Sequence, residues 1–177
     1  IVYGEEYIDG KITESYFNYP HTGTYGVELE YRYNSAWGFI NTAYSYYRAN
    51  PASNVDAYIV EGHEALFIGM PGHKLSGLAH LRISKKWSLN PSILYFSQKY
   101  FYELSASEEL ALNVLKHTIL GNIQLVCEGF LIKGLDGGIG VFNIGNVTDL
   151  YPQAYNGGNM PVLSNSRELS MNLKYRF

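Results

Sequence analysis

Ten consecutive residues at the C-terminus keep a period of two without exception. Leu169, Met171, Leu173, Tyr175 and Phe177 alternate with Glu168, Ser170, Asn172, Lys174 and Arg176. Successive side chains of an extended chain point to opposite sides, so this stretch is a ribbon with one apolar and one polar face. The pattern recurs upstream. Tyr25, Val27, Leu29, Tyr31 and Tyr33 oppose Thr24, Gly26, Glu28, Glu30 and Arg32, while Leu75, Gly77, Ala79, Leu81 and Ile83 oppose Lys74, Ser76, Leu78, His80, Arg82 and Ser84. Ile119, Gly121, Ile123, Leu125 and Cys127 oppose Thr118, Asn122 and Gln124, with Leu120 out of step. Residues 37–48 and 89–103 are aromatic and β-branched, 135–144 carries glycines at 137, 138 and 140, and 1–7 adds a partial strand. About eight strands are expected, and only 108–115 is compatible with a single helical turn.

Composition removes the main alternatives. The longest apolar runs, such as Ile93-Leu94-Tyr95-Phe96, hold four residues, whereas a spanning helix needs about 20. An apolar fraction of 46% excludes disorder. Thirteen Lys and Arg against sixteen Asp and Glu give a net charge of −3, so no basic surface points to nucleic acid. A single cysteine, Cys127, excludes an intrachain disulfide and a Cys-rich zinc site. The chain opens Ile1-Val2-Tyr3-Gly4 with no secretory leader, which suggests a removed targeting segment or a start inside something larger.

The connections alternate in length. Short turns at 34–36, 85–88 and 128–134 are interleaved with longer links at 51–72, 104–112 and 147–166. In an up-and-down meander all the short turns then lie at one end, the arrangement of outer-membrane barrels with short periplasmic turns and long extracellular loops. Both tryptophans, Trp37 and Trp87, fall beside short turns, with Phe130 at the third and Tyr175 and Phe177 ending the last strand on the same side. Amphipathic rings collect where hydrocarbon meets water, so these define an interface belt. Tyr44, Tyr46, Tyr47, Tyr95, Tyr100 and Tyr102 are expected to form the opposite girdle.

Several short motifs follow in order: Tyr16-Phe17-Asn18, Gly26-Val27-Glu28-Leu29-Glu30, Tyr44-Ser45-Tyr46 and Pro71-Gly72-His73-Lys74. They continue with Val141-Phe142-Asn143-Ile144-Gly145-Asn146, Asp149, Tyr151, Arg167 and the terminal Leu173-Lys174-Tyr175-Arg176-Phe177. Over 16–177 the sequence resembles the C-terminal part of the β-barrel of TonB-dependent outer-membrane receptors. The resemblance implies an all-β, antiparallel, up-and-down transmembrane barrel of about 22 strands, plugged by an N-terminal domain. On that reading 1–177 is a barrel segment without the plug. The resemblance further implies import of a scarce nutrient (siderophore, haem, corrinoid, glycan or similar) across a Gram-negative outer membrane. Its partners would be the surrounding lipid, the nutrient, and the energy-coupling TonB protein acting through the plug. Tyr175 and Phe177 would be the signal read by the insertion machinery.

Two other readings fit the alternation: a small eight-stranded outer-membrane barrel with a structural or adhesive role, and a soluble ligand-binding barrel whose apolar face points inward. Segregated loops, low charge and the terminal phenylalanine favour the membrane. Glu61, His63, Glu64 and His73, on or beside the first long loop, are the ligand-contact candidates, because long outer loops line the mouth of such barrels. Their donor types suit a transition metal, but the spacing matches no zinc signature, and neither metal nor cofactor is expected. His21, His80 and His117 are the remaining histidines; Ser76 shares a face with His80, yet no orienting group accompanies them and no catalysis is expected. Gly137-Gly138-Ile139-Gly140 lies inside a strand with no helix after it, so it reads as close packing and not as a phosphate cradle. The mixed charges of the polar face read as a hydrated or plugged lumen.

Overall fold

The computed structural model describes residues 2–18, 21–50, 52, 55, 58–105, 109–152 and 160–177, with the backbone alone for 2–5 and 17. The elements in chain order are β1 (Val2–Ile8), β2 (Lys11–Phe17), β3 (Thr24–Ser35), β4 (Gly38–Ala49), β5 (His73–Arg82), β6 (Trp87–Phe96) and β7 (Lys99–Leu104). They continue with β8 (Leu110–Leu115), β9 (Thr118–Cys127), β10 (Leu135–Phe142), β11 (Leu150–Tyr151), β12 (Val162–Leu163) and β13 (Glu168–Tyr175). Seven of these form one sheet in the order β3-β4-β5-β6-β9-β10-β13, every neighbour antiparallel. This is a meander wall, with β3 and β13 at its edges.

The register sorts the side chains as the alternation requires. Residues directly opposite in an antiparallel pair share a face. One row runs Leu29, Tyr44, Leu75, Tyr95, Ile119, and another Pro91, Ile123, Val141, Leu169. The opposite face carries Asn90, Gln124, Gly140 and Ser170 in one row, with Glu28, Glu30, Lys74, Arg82 and Lys174 elsewhere on it. The apolar face is bare: Leu169 and Met171 are each 76% exposed, Leu173 62% and Val27 54%. A contiguous apolar surface of this extent is not left to water by soluble monomers and marks a lipid or protein contact. Leu169, Leu173, Val27 and Leu81 share no dry interior among the described residues.

Turn lengths segregate as expected. Residues 36–37, 83–86 and 128–134 join strands at one end; 50–72, 97–117 and 143–167 do so at the other. At the first short turn Gly38 has φ +141, and a Cβ there would stand 1.8 Å from the His80 carbonyl oxygen. Only glycine lets β4 approach β5 at this point.

Three sequence expectations change. The stretch 89–103 is two strands, because the chain leaves the wall at Ser97-Gln98 and continues as β7. Its partner β8 occupies Leu110–Leu115, where one helical turn was expected; pairing of Lys99–Leu104 with Leu110–Leu115 gives that segment a ladder that a lone turn lacks. Glu108, the start of that expectation, lies outside the described residues, as does Ile1. The N-terminal stretch is a separate hairpin, β1–β2, turned at Asp9-Gly10 with φ of 50° and 76°. Two successive positive φ values define the tight turn whose twist matches antiparallel strands.

Among the described residues the wall buries only the apolar side chains of Ala49 and Cys127, at strand ends, and the packed core cluster lies elsewhere. Val60, Ile68, Tyr100 and Phe101 form it, with Leu66, Tyr102, Leu112 and Leu115 packed against them. All belong to the first two long connections. The chain is therefore a bare two-faced wall with a cored cap at its long-loop end.

Candidate functional site

The cap is organised by the first three residues of β7. Lys99, Tyr100 and Phe101 are all buried, which no single-faced strand allows. Tyr100 and Phe101 enter the core with Val60 and Ile68 of the first long loop, and the Gly69 amide donates to the Tyr100 carbonyl at 2.8 Å. That loop is also tied to the wall: the Phe67 amide donates to the Tyr47 hydroxyl at 3.2 Å, and the hydroxyl donates to the Met70 carbonyl at 3.2 Å. Tyr47, Tyr100 and Tyr102 therefore stabilise the cap instead of joining a girdle as expected. Tyr44, Tyr46 and Tyr95 do lie on the apolar face near the cap.

Lys99 reaches the other way, to the third long loop. Its ammonium donates to both oxygens of Asp149 at 3.3 Å and to the Leu150 carbonyl at 3.3 Å, between the rings of Phe96 and Tyr151. The Thr118 hydroxyl donates to Asp149 at 2.9 Å, and the Asp149 amide donates to the Ser164 hydroxyl at 3.0 Å. Lys99 is 5% exposed and Asp149 3%. A charge so buried is tolerated only when paired and hydrogen-bonded, and this one is. The preceding turn has its own brace. Asn143, at φ 50°, donates through Nδ2 to the Val147 and Asn165 carbonyls, and its Oδ1 accepts from the Val147 amide. Asn146 accepts the Arg167 amide, and the Arg167 guanidinium donates to the Ile144 carbonyl, so the loop's entry and exit are clamped together.

Beneath this loop a cavity of about 670 Å³ opens on the polar face. Leu94, Leu120 and Phe142 form its floor, and Tyr151, Val162 and Leu163 its roof. Leu120, the one residue out of step in its strand, opposes Leu94 here. Its apolar side chain on the polar face was the sequence signal for this cavity. Lys99 and Thr118 carried no such signal.

The ligand-contact candidates are not brought together. His63 lies in the first loop with its ring 4.5 Å from that of Tyr100. Glu61 donates its amide to the Tyr102 hydroxyl at 3.3 Å, and Glu64 is exposed beside it. His73 is the first residue of β5, on the apolar face, bonded to the Tyr44 hydroxyl at 2.8 Å, with its ring tilted against that of Tyr46 at 4.9 Å. No group of three or more acidic, histidine or cysteine side chains able to hold a metal exists among the described residues. His80 bonds Asn90 at 2.7 Å and stacks on Phe39, and no hydrogen bond joins it to Ser76 among the described residues. Trp37 and Trp87 both lie at the short-turn end, half-exposed, with Trp37 packed 6.0 Å from Tyr33. Tyr175 and Phe177 meet edge to face at 5.1 Å, both exposed.

A meander wall with a bare apolar face, short turns at one end and long loops at the other is the architecture of part of an outer-membrane β-barrel. Solved receptors share it. The chain superposes on the ferric-catecholate import receptor Fiu of E. coli K12 with a TM-score of 0.71 at 12% identity, over 96% of this chain and 22% of that one. It matches the pyoverdine outer-membrane receptor FpvA of Pseudomonas aeruginosa PAO1 with a TM-score of 0.71 at 11% identity, over 87% and 21%. The siderophore receptor PirA of Acinetobacter baumannii gives 0.69 at 15%, over 99% and 26%. The chain thus has the fold of part of such a barrel and spans about a fifth to a quarter of the length of these receptors. No family model matches the sequence, and no curated protein matches it.

Proposed function

We propose that this chain is the wall and cap segment of an outer-membrane receptor that imports a scarce nutrient, and that the nutrient is an iron-chelating siderophore. The observation that carries the reading is the bare apolar face of a sheet whose packed core cluster, among the described residues, lies in its loops. A sheet of this kind is stable where acyl chains cover that face and every backbone group is paired within a closed barrel. The fold shared with three siderophore receptors supports the choice of cargo. The cavity under the third loop, apolar below and ringed by Asn122, Asn143 and Ser164, offers a ligand both ring contacts and hydrogen bonds. The protein does no chemistry on its cargo; binding occurs at the cap, and energy arrives through a plug from the TonB protein.

The test is uptake. In cells carrying the full-length protein as their one candidate receptor, radioactive iron is supplied as a ferric catecholate or as ferric pyoverdine. Accumulation that disappears on gene deletion and on collapse of the proton-motive force supports the reading. Recovery of the full-length protein in the aqueous fraction without detergent ends the membrane reading. An embedded protein whose deletion leaves both uptakes intact ends the siderophore reading alone.

A further inference from the structure

The apolar face changes character at its cap end. One row across β4, β5, β6 and β9 reads Tyr44, Leu75, Tyr95, Ile119. The next row toward the cap reads Tyr46, His73, Ser97 and His117. His73 opposes Tyr46; His73 and Ser97 bond each other through the Ser97 amide to the His73 carbonyl at 2.9 Å and the His73 amide to the Ser97 hydroxyl at 3.0 Å. His117 shares parity with Ile119, and its ring lies 6.4 Å from that of Tyr95. Two strand spacings separate the histidines, about 10 Å. Arg48, two residues past Tyr46 on the same face, has no carboxylate partner among the described residues. Arg48, His73, Ser97 and His117 border one cleft of about 400 Å³, together with Tyr46 and Tyr95, and no acidic residue among the described residues lines it.

A cleft with an unpaired guanidinium, two imidazoles and a hydroxyl is built for a phosphate, because guanidinium donors fit its oxygens bidentately. Its placement fixes the source. The row below it is apolar and exposed, so a ligand held here by its phosphate lays its remainder along Leu75, Ile93 and Ile119. We infer that this cleft binds the phosphate of an anionic lipid headgroup in the outer leaflet, with Arg48 as the permanent charge. The Nδ1 of His73 is taken by Tyr44, which leaves its Nε2 for the ligand. The inference rests on the membrane-embedded reading above.

The experiment uses the full-length protein in phosphatidylcholine nanodiscs doped with diphosphorylated lipid A or with its dephosphorylated form, read by native mass spectrometry. The phosphorylated lipid is expected to be retained, and Arg48→Gln combined with His117→Gln to weaken retention about tenfold or more, the scale of losing a charged hydrogen bond. Arg48→Lys is expected to recover part of it. Equal retention of both lipids, unchanged retention in the double variant, or displacement of the lipid by inorganic phosphate at matching concentration overturns the site. A wild-type protein that enters no nanodisc overturns the membrane reading instead, so the two failures are told apart.

Discussion

Lys99→Met removes one half of the buried ion pair that fastens the third long loop. Both partners are almost wholly enclosed, so solvent screens little of the interaction. The substitution preserves most of the side-chain bulk but leaves the Asp149 carboxylate, among the described residues, with the Thr118 hydroxyl as its remaining side-chain donor. Stranding a buried charge in this way costs about 3–5 kcal/mol. At 1.4 kcal/mol per decade, the loop's opening equilibrium should rise between about a hundredfold and a few thousandfold. Hydrogen exchange of the full-length protein in nanodiscs reads this directly. Protection should fall at the amides of Asp149 and Ser164, which are bonded across the loop, while the β3–β4 ladder holds. Asp149→Asn should act on the same amides, because it strands the ammonium. The double variant Lys99→Met/Asp149→Leu should recover most of the loss, since replacing both charges by apolar groups is close to neutral. Unchanged exchange in both single variants, or a double variant as damaged as their sum, would refute the latch.

Other expectations concern the wall. Gly38→Ala forces a Cβ against the His80 carbonyl at a φ that L-residues avoid; it should cost about 1–3 kcal/mol in strain alone and lower the temperature at which the barrel loses its compact gel mobility. Ile93→Arg places a charge mid-strand on the apolar face and should cost about 2–4 kcal/mol of folding free energy in vesicles. Ser92→Arg, one residue away on the polar face, should cost under about 1 kcal/mol by the same titration; equal effects would mean that lipid covers neither face or both. Trp37 and Trp87 should be quenched alike by lipids brominated near the headgroup, and unequal quenching would place them at different depths.

The wall was legible in the sequence because each of its strands has one environment per face. Residues 168–177, eight of them in β13, keep strict alternation for that reason, and the register places Leu169, Met171 and Leu173 as the pattern requires. Legibility failed where a strand has the same environment on both sides. Lys99, Tyr100 and Phe101 are buried in succession because β7 runs between two loops, and a period of two cannot report that. β8 was hidden for the same reason, its apolar residues Leu110, Leu112, Val114 and Leu115 breaking step at the end. The hairpin β1–β2 did leave a signal, the pair Asp9-Gly10 between extended segments. The pair Lys99–Asp149 spans fifty residues of sequence, and its geometry exists only after the wall has brought the loops together. The histidine and carboxylate candidates are divided between the first long loop and the wall because His73 begins β5: neighbours in sequence across a loop's end can face away from each other.

The split between a wall without a core and a cap with one means that this chain answers to two solvents. Thickening or thinning the bilayer works on the rows of Leu75, Ile93 and Met171 and has no purchase on Val60 or Phe101. Urea works on the cap, whose apolar cluster is held together by water's cohesion. Variation can therefore accumulate in the loops, reshaping the cap, without renegotiating the terms on which the strands keep their apolar face.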